Sequence, residues 1–474
     1  MPEPLNVLLI GGGAREHALA IALSRSPRLG TLYTTHPSNP GIAALAQPVD
    51  VPVSAREFYR LEQFIAKQGI DLIVIGPEEP LAEGYADRLR TPTTRVFGHG
   101  KDAAQLEANK AWCKQLLRSA SIPTAEARTF TDPEAARVYL ESREGDDPLL
   151  AKLFEESSKF RDPQDRRKFI EQKVQASREL QAAYAAPRAD LPVLKASGLA
   201  KGKGVVLPGS LDEALSAIES MMVRQVFGEA GRQIVIEERL SGPEVSVLAI
   251  TDGRTLLVLP PCQDHKRLGD GDTGPNTGGM GAFCPTATVD EALMSRVERE
   301  ILVPTLDALR REGISCTGVL YAGLMLTHAG PKVLEYNVRF GDPECQPLMA
   351  RLKSDIIELM LAACDGTLED ARVEWDPRPA CCVVLASAGY PETSTKGVPI
   401  HGLDEAASLP DVTVTHAATR RLPDGTIVTD GGRVLSITAL GDTMADARRK
   451  AYQACDLITF RGKVHRTDIA ASAL

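Results

Sequence analysis

The sequence predicts an α/β protein that begins with a parallel sheet and has α+β character in its middle third. A short apolar run at 7–10 is followed by a glycine turn and a helical pattern, and a second helix at 58–68 lies between strand candidates at 32–35 and 71–75. Alternating strands and helices are typical of parallel sheets, whose ligands bind at the carboxyl ends of the strands. Further along, the pattern at 245–259 predicts an antiparallel hairpin with an Asp-Gly turn.

Composition limits the classes of function. The chain has 474 residues, 43% of them apolar, and a formal charge of −9. A chain of this length predicts several domains, and the acidic balance argues against nucleic acid or a membrane as partner. No apolar run of membrane-spanning length occurs and the amino terminus does not resemble a signal segment, so a cytoplasmic location is expected. The nine cysteines lack a Cys-x-x-Cys pair, which indicates reduced, mostly buried thiols.

The first glycine turn, at 11–13, resembles a dinucleotide loop only superficially. The fingerprint Gly-x-Gly-x-x-Gly requires a glycine where this chain has Glu16. A nicotinamide cofactor is therefore not expected. The turn still offers backbone amides and a helix N-terminus, with Arg15 and His17 beside them, which suits a phosphomonoester. The alternative is a tight turn that binds no ligand.

A second glycine-rich stretch, at 194–207, contains three lysines. It fails the Walker pattern, because Ser197 stands where that pattern begins with glycine and Gly204 stands where it needs a hydroxyl. Both flanks are typical of strands, so the loop joins two strands instead of opening a helix. We expect it to hold phosphate with amides and lysines and to close over it as a flap.

The strand at 334–339 carries the strongest signal for chemistry. Alternation places Glu335, Asn337 and Arg339 on one face, with Leu334, Tyr336 and Val338 on the other. A carboxylate and an amide oxygen on one face form a hard-oxygen site for Mg²⁺, and an arginine beside them can stabilise phosphoryl charge. The alternative is a solvent-facing strand with alternating polar residues.

Four other segments carry further signals. The strand end at 237–240 suits adenine, with Glu244 for the ribose hydroxyls, although a plain charged strand end is equally consistent with it. The glycine-rich run at 264–281 predicts a long functional loop. A single helix is predicted over 103–120. The segment at 154–190 predicts a solvated, highly charged helix over 166–184, capped by Asp162-Pro163, with a lid or docking role as an alternative.

Several motifs occur in one order along the chain. They are Gly-x-Gly-x-Arg-Glu-His at 11–17, Ile-Gly-Pro-Glu at 75–78, Lys-Ala-x-Gly-Leu-Ala-x-Gly-Lys-Gly-Val at 195–205, Gln-Asp-His-Lys-Arg at 263–267, Asp-Thr-Gly-Pro-Asn-Thr-Gly-Gly-Met-Gly-Ala at 272–282, Tyr-Ala-Gly-Leu-Met at 321–325, Arg-Phe-Gly-Asp-Pro-Glu at 339–344 and Gly-Gly-Arg-Val-Leu at 431–435. In these motifs the chain resembles the ATP-grasp ligases and, within them, the glycinamide ribonucleotide synthetases.

The resemblance implies a reaction and a domain order. ATP phosphorylates the carboxylate of glycine, and the amine of 5-phosphoribosylamine attacks the glycyl phosphate to give glycinamide ribonucleotide, ADP and phosphate in de novo purine synthesis. The cofactors implied are ATP and Mg²⁺ or Mn²⁺, and a monomer is expected. The domains implied are a phosphoribosylamine-binding domain at 1–108, an ATP-grasp domain at 109–368 with a lid at about 123–236, and a carboxyl-terminal domain at 372–474.

The resemblance also implies roles for individual residues. The residues expected to contact ATP are Lys110, Lys195, Lys201, Gly202, Lys203, Gly204, Glu237, Glu238, Leu240 and Glu244. The residues expected around phosphoribosylamine are Gly11, Gly13, Arg15, Glu16, Glu78, Asp264, Lys266, Asn276 and Thr277. Glu335 and Asn337 would bind the metal, and Arg339 and Asp342 would act near the acyl phosphate.

The chain departs from the family pattern at three places. The usual Lys-Ala-Asp-Gly reads Lys195-Ala196-Ser197-Gly198, and Gly13-Ala14 replaces a frequent pair of glycines. The charged segment at 154–190 has no counterpart in the family pattern. It precedes the lid strand at 192–195, and the competing strand candidate at 148–152 is rejected because only the later stretch continues into the glycine loop.

Three competing functions are kept beside the ligase. A nicotinamide oxidoreductase would bind NADH, which Glu16 argues against. A non-catalytic ATP-binding regulator would bind ATP without forming product. Ser197 is the one feature of the sequence that favours this interpretation. An ATP-grasp ligase that uses another amine would have the same ATP site.

Overall fold

The computed structural model describes residues 3–51, 58–144, 147–200 and 202–474. The chain divides into two compact units. Unit one contains Met1–Glu107, Ser119–Pro123 and Gly242–Leu474, and unit two contains Ala108–Arg118 and Thr124–Ser241. Within the described ranges, no helix is long and apolar enough to cross a membrane.

Unit one begins with a parallel sheet of five strands in the order β3-β2-β1-β4-β5. The strands are β1 (Leu5–Ile10), β2 (Leu29–Thr34), β3 (Gln47–Pro48), β4 (Leu72–Ile75) and β5 (Arg95–Phe97). The helices are α1 (Ala14–Ser24), α2 (Pro40–Ala43), α3 (Phe58–Gln68), α4 (Glu78–Ala82), α5 (Tyr85–Leu89) and α6 (Lys101–Ala108). The parallel sheet predicted from the sequence is confirmed. The strand order reverses direction between β1 and β4, and such a point is where open α/β sheets bind ligands.

The single helix predicted over 103–120 is wrong. The structure has α6 and, after Asn109, α7 (Lys110–Ser119). The side-chain oxygen of Asn109 accepts the backbone N–H of Trp112 at 3.1 Å, so Asn109 caps a new helix. Asparagine is favoured at such caps. The helical periodicity continues across the break, which is why the pattern concealed it.

Unit two contains an antiparallel sheet in the order β6-β9-β7-β8 and a layer of helices. Its further elements are β6 (Ala127–Phe130), α8 (Pro133–Glu141), α9 (Pro148–Ser157), α10 (Pro163–Ala176), α11 (Arg178–Ala185), β7 (Val193–Ala196), β8 (Val205–Val206), α12 (Leu211–Ile218) and β9 (Ile234–Glu237). A π-helical segment at Glu219–Val223 and a 3-10 turn at Gly228–Gly231 lie between α12 and β9. The stretch at 148–152 lies in α9, so the preference for the later strand is confirmed.

The charged segment forms two helices and not one. Asp162 caps α10 by accepting the N–H groups of Gln164 and Asp165 at 2.8 and 3.1 Å, as predicted. Ser177 ends α10 and caps α11, where its hydroxyl accepts the N–H of Leu180 at 3.3 Å. The hydroxyl of a serine competes with the helical backbone, and this explains the break. The two helices are largely exposed, and their few apolar residues pack on the core of unit two.

The chain then returns to unit one. Its next elements are β10 (Glu244–Thr251), β11 (Leu256–Val258), β12 (Gln263–Asp264), β13 (Arg267–Gly269), β14 (Thr273–Asn276), β15 (Gly281–Cys284), α13 (Glu291–Val297), α14 (Val303–Arg311), β16 (Gly318–Thr327), β17 (Gly330–Asn337), α15 (Cys345–Arg351) and α16 (Ile356–Asp365), with a π-helical segment at Glu298–Leu302 and a 3-10 turn at Leu368–Asp370. Strands β11, β10, β16 and β17 form an antiparallel sheet in that order, and the hairpin predicted at 245–259 is confirmed.

The last part of unit one is a mixed layer of strands and helices. It contains β18 (Ala380–Ala386), α17 (Leu403–Ala407), β19 (Val412–His416), β20 (Thr419–Arg421), β21 (Ile427–Thr429), β22 (Arg433–Leu440), α18 (Met444–Leu457) and a 3-10 turn at Ala471–Ala473. Strands β12 and β15 join β18, β22 and β19 in one sheet. The run at 264–281 was expected to be an irregular loop, but it forms the hairpin β13–β14 as well. Its glycines hid this, because they lower β-propensity without preventing backbone pairing.

Candidate active site

The glycine turn after β1 is built around the side chain of Glu16. The carboxylate oxygen Oε2 of Glu16 accepts the backbone N–H of Gly13 at 2.6 Å. A Cβ atom on Gly11, which has φ +120°, would lie 2.6 Å from Cγ of Glu16, and one on Gly76 would lie 2.2 Å from Oε1. Glycine is therefore required at 11 and 76 because the buried side chain of Glu16 fills the space above both.

The side chains of Arg15 and His17 contact different parts of the chain. The Arg15 side chain donates to Oε1 of Glu16 at 2.5 Å and to the backbone oxygen of Phe340 at 3.1 Å. In contrast, Nδ1 of His17 accepts the backbone N–H of His416 at 2.8 Å. Burial lowers the pKa of His17 to about 3, so its ring is neutral. The role predicted for His17 beside a phosphomonoester stays a prediction, and Nδ1 of its ring is already occupied by the N–H of His416.

Arg339 occupies the centre of a buried ion network in unit one. Its guanidinium donates to Glu107 at 2.8 Å, to Glu78 at 3.3 Å and to the side-chain oxygen of Asn337 at 3.0 Å. Burial alone would raise the pKa of Glu78, but Arg339 and Arg15 outweigh it and lower that pKa to about 2. Both Glu78 and Arg339 are therefore charged at neutral pH. Glu107 was not identified from the sequence.

Asp342 follows Arg339 by three residues and has its own cation. Its Oδ2 atom lies 3.2 Å from NH2 of Arg433, and its Oδ1 atom accepts from Gln346 at 2.8 Å. Burial acts to raise the pKa of Asp342, but Arg433 and Arg15 hold it below its usual value. Arg433 also donates to the backbone oxygen of Gly278 at 2.6 Å. The motif at 431–435 contained Arg433, but the sequence reading gave it no role.

Lys266 lies among acidic residues of three strands, which are Glu244 on β10, Asp264 on β12 and Glu335 on β17. Its ammonium group lies 3.1 Å from Glu244 and 3.6 Å from Glu335. Burial raises the pKa of Asp264 to about 8; Lys266 opposes this shift, and Glu344, Glu244 and Glu335 add to it. Several carboxylates around one lysine form a face that attracts cations.

Glu335 and Asn337 are the two residues predicted to bind a metal, and Glu335 lies on the acidic face beside Lys266. The strand predicted at 334–339 ends earlier, because β17 stops at Asn337. Arg339 follows the strand, and its guanidinium donates to the side-chain oxygen of Asn337 at 3.0 Å. Gly323 pairs with Glu335 while Leu324 pairs with Val333, so Leu334 is the extra residue of a bulge. Within β17 the predicted alternation therefore holds only over 335–337. Among the residues described, no group of three or more His, Cys, Asp or Glu side chains forms a complete metal site. The two ligands suit a Mg²⁺ ion that takes its other oxygens from phosphate and water.

Asn276 and Thr277 end the β13–β14 hairpin next to Lys266. The backbone N–H and the hydroxyl of Thr277 both donate to the backbone oxygen of Lys266, at 2.7 and 2.8 Å. Asn276 pairs with Arg267 across the hairpin. These bonds fix the loop beside the acidic face.

Unit two holds a separate cluster of lysines around Glu237. Lys195 on β7 and Lys114 on α7 both form ion pairs with Glu237 on β9, the second at 2.6 Å. Burial would raise the pKa of Glu237, but the two lysines lower it, and burial lowers the pKa of Lys114. The sequence predicted Glu237 and Lys195 as separate ATP contacts and did not identify Lys114 as a member of the site. The only local signal was that Lys114 lies one helical turn after Lys110.

The glycine loop joins β7 to β8, as predicted. Lys195 pairs with Val205 across the two strands. Gly202 has φ +74°, and the N–H of Lys203 donates to the backbone oxygen of Ala200 at 2.9 Å. A Cβ atom on Gly204 would lie 2.6 Å from Cβ of Ala200. Lys201, which was expected to contact ATP, lies outside the described residues.

The other residues expected to contact ATP are distributed over both units. In unit two, Oε1 of Glu238 accepts the N–H of Glu126 at 3.1 Å, Leu240 is half-buried, and Nζ of Lys110 donates to the backbone oxygen of Gly198 at 3.2 Å. Glu244 belongs to unit one, beside Lys266.

Comparison with known proteins covers nearly the whole chain. Family sequence models of phosphoribosylglycinamide synthetase match at 5–107 for the N domain, 163–345 for the ATP-grasp (A) domain and 380–472 for the C domain. The phosphoribosylamine–glycine ligase of Rhodopirellula baltica is 46% identical over 472 residues, covering 99% of this chain and 98% of the relative. The same-named protein of Brucella melitensis is 42% identical over 470 residues, covering 99% and 98%.

Solved structures agree with these relatives. The crystal structure of phosphoribosylamine–glycine ligase from Thermotoga maritima has a TM-score of 0.75 and 30% identity, and the match covers 98% of this chain and 100% of that one. The biotin carboxylase domain of the Hydrogenobacter thermophilus 2-oxoglutarate carboxylase has a TM-score of 0.65 at 13% identity, over 98% and 92% of the two chains. The second likeness concerns the fold alone. Together these findings confirm the predicted α/β architecture with an ATP-grasp part.

Proposed function

The chain belongs to the phosphoribosylglycinamide synthetase family, and from this we propose that it ligates glycine to 5-phosphoribosylamine with ATP, giving glycinamide ribonucleotide, ADP and phosphate in purine synthesis. The observation that carries the proposal is the 46% identity to a phosphoribosylamine–glycine ligase along almost the entire chain. The match includes every segment that contributes to the two charged clusters. A non-catalytic regulator would not need both charged clusters.

The chemistry requires activation of a carboxylate. An oxygen of the glycine carboxylate attacks the γ-phosphorus of ATP, so that ADP leaves and glycyl phosphate forms. The amine of phosphoribosylamine then attacks the carbonyl carbon, phosphate leaves with one oxygen that came from glycine, and the nitrogen releases a proton as the amide forms. In both steps negative charge develops on a leaving phosphate group, which positioned cations and a metal ion can stabilise.

Unit two supplies the cations for the ATP phosphates in this proposal. Lys195 and Lys110 would contact the phosphate oxygens together with Lys201, Lys203 and the amides of Gly202 and Gly204. Buried ion pairing with Glu237 supports this, because a lysine held in one position loses less conformational entropy when phosphate binds. Glu238 and Leu240 would contact the nucleoside. The strand-to-strand setting of the loop supports closure over ATP as a flap.

Unit one supplies the metal ligands and the acceptor site in this proposal. Glu335 and Asn337 would hold Mg²⁺, which Mn²⁺ can replace, and the bound metal would neutralise phosphate charge. Arg339 and Asp342 would act near the acyl phosphate, where the fixed charge of Arg339 supports stabilisation of the transferring group. The residues proposed to surround phosphoribosylamine are Gly11, Gly13, Arg15, Glu16, Glu78, Asp264, Lys266, Asn276 and Thr277. Glu244 would contact the ribose of ATP, and the protein would act as a monomer.

Measurement of ADP release and product mass tests the function. Purified protein is mixed with Mg²⁺ and ATP, and glycine and phosphoribosylamine are added singly or together. The proposal predicts glycinamide ribonucleotide and stoichiometric ADP only in the complete mixture. ATP binding without product would indicate a regulator. Product with a different amine, at a higher kcat/KM than with phosphoribosylamine, would indicate a different ligase.

A further inference from the structure

The first turn of α7 is capped from another part of unit two. A helix begins with backbone N–H groups that have no partner inside the helix. Here the N–H of Lys110 donates to the backbone oxygen of Ser197 at 2.8 Å, and the N–H of Ala111 donates to the hydroxyl of Ser197 at 3.2 Å. The N–H of Trp112 donates to the side-chain oxygen of Asn109 at 3.1 Å. Ser197 therefore satisfies two of the three groups.

The hydroxyl of Ser197 also connects the two caps. It donates its proton to the side-chain oxygen of Asn109 at 3.1 Å while it accepts from Ala111. A hydroxyl can donate and accept at once, whereas a carboxylate only accepts when ionised. Ser197, which replaces the usual aspartate of the family pattern, is thus matched in its hydrogen bonding to Asn109. Ser197 is 5% exposed, so water does not readily substitute for a lost bond.

The capped residues lie next to the lysines expected to contact ATP. Ser197 follows Lys195 by two positions, and Ala111 follows Lys110 directly. Ser197 itself is fixed on its strand side, because its N–H donates to the backbone oxygen of Gln233 at 2.9 Å. Lys110 reaches the next residue of the loop, since its Nζ donates to the backbone oxygen of Gly198 at 3.2 Å. The start of α7 and the end of β7 are therefore joined at one place.

We propose that Ser197 is a positioning residue whose hydroxyl, paired with Asn109, holds the start of α7 against the end of β7 and so sets the spacing of Lys110 and Lys195 for ATP. This inference deepens the proposed function and rests on its assignment of the two lysines. A shift of about 1 Å between two charged groups that share a polyphosphate weakens binding substantially. The hydroxyl acts through the lysines and does not contact ATP.

The test compares Ser197→Ala, Ser197→Thr and Asn109→Ala with the wild-type protein. Removing one buried hydrogen-bonding group should raise the Kd and the KM for ATP about tenfold in the alanine variants. The KM values for glycine and phosphoribosylamine should stay within about twofold. Ser197→Thr keeps the hydroxyl and should restore ATP affinity. The Ser197→Ala/Asn109→Ala double variant should bind ATP no more weakly than either single variant, because the two act as a pair.

Ser210→Ala is the matched control. Ser210 is a buried serine that caps α12 in the same unit by accepting the N–H of Glu213 at 3.2 Å. Its loss should lower the melting temperature as much as Ser197→Ala does and leave the Kd for ATP unchanged. The fluorescence of Trp112 should change on ATP binding at higher ATP concentrations in Ser197→Ala than in the wild type.

The outcomes separate this inference from the proposed function. A wild-type Kd for ATP in Ser197→Ala, or a Kd that rises equally in Ser197→Thr, would overturn the positioning role while leaving the ligase intact. If the wild-type protein bound ATP but made no product, the ligase proposal would fail, and the Kd comparison would still decide the role of Ser197.

Discussion

Glu107 accepts a hydrogen bond from Arg339 at 2.8 Å, although 232 positions separate the two residues in the chain. The second carboxylate oxygen of Glu107 accepts the backbone N–H of Val338 at 2.8 Å. Glu107 therefore holds both the side chain of Arg339 and the backbone that precedes it. Burial raises the pKa of Glu107, and Arg339 opposes that rise.

Replacing Glu107 should impair catalysis more than substrate binding. Glu107→Gln removes the charge next to a guanidinium that is 15% exposed, and the loss should lower the free energy of unfolding by about 1–3 kcal/mol. We expect kcat to fall at least about tenfold with little change in the KM for ATP. Asp102→Asn, a change at an exposed position of the same helix, should leave kcat and the KM for ATP unaltered. A wild-type kcat in Glu107→Gln would mean that the position of Arg339 is unimportant.

Removing Lys114 should weaken ATP binding. Glu237 is shared between Lys114 and Lys195, so Lys114→Met leaves one carboxylate paired with one lysine and shifts Lys195 toward it. The KM for ATP should rise about tenfold, as for the loss of one charge-assisted bond. Steady-state kinetics measure this rise, and Lys159→Met, an exposed lysine of unit two, is the control. If the KM stays constant, the lysine cluster does not determine ATP affinity.

Glu335 should determine the metal requirement. In Glu335→Gln the acidic face loses one charge while the shape of the side chain is kept. The Mg²⁺ concentration for half-maximal rate should rise at least about tenfold, and kcat should fall. The metal affinity can also be measured without turnover, by titrating the protein–ATP complex with Mn²⁺ and following its paramagnetic signal. Glu312→Gln, on an exposed site, should bind Mn²⁺ as the wild type does; equal binding in both variants would remove Glu335 from the metal site.

The buried His17 and the half-buried His416 should make the fold sensitive to acid. Burial lowers the pKa of His17 to about 3 and that of His416 to about 4. Because both values lie below that of an unfolded histidine, about 6.5, the unfolded chain binds more protons under acid. The stability these neutral rings provide is complete above about pH 6.5 and is lost as the pH falls toward 4 and 3, at up to about 1.4 kcal/mol per pH unit for each histidine.

Denaturant unfolding at several pH values between 7 and 4 measures this loss. The slope of unfolding free energy against pH should be smaller in His17→Asn, because Asn does not titrate. Ser408→Asn, a neutral change at an exposed position of the same unit, should keep the wild-type slope. The same slope in His17→Asn and the wild type would show that His17 is protonated equally in both states.

The sequence predicted those parts of the site that depend on local pattern. The order of strand, glycine turn and helix located Gly11 and Gly13, and alternation along β17 placed Glu335 and Asn337 on one face. Local periodicity carries such information because it follows from backbone geometry alone. The strand-like flanks of the glycine loop also predicted that it joins two strands, β7 and β8.

The parts that were missed depend on contacts between distant segments. Glu107, Lys114 and Arg433 are ordinary charged residues on helices or at a strand start, and only tertiary packing brings them to their partners. The break at Asn109 and the bulge at Leu334 were missed for a related reason, because caps and bulges depend on which side-chain or strand partner is present. The neutral state of His17 likewise follows from its burial against His416.

The most direct test of the proposed reaction follows an oxygen atom from glycine to the released phosphate. Glycine labelled with ¹⁸O in both carboxylate oxygens is converted with ATP and phosphoribosylamine, and the released phosphate is analysed by mass spectrometry. If glycyl phosphate forms, each phosphate carries one ¹⁸O atom and each glycinamide ribonucleotide keeps one. Phosphate without label, released together with product, would contradict carboxylate activation by ATP and the roles assigned to both charged clusters.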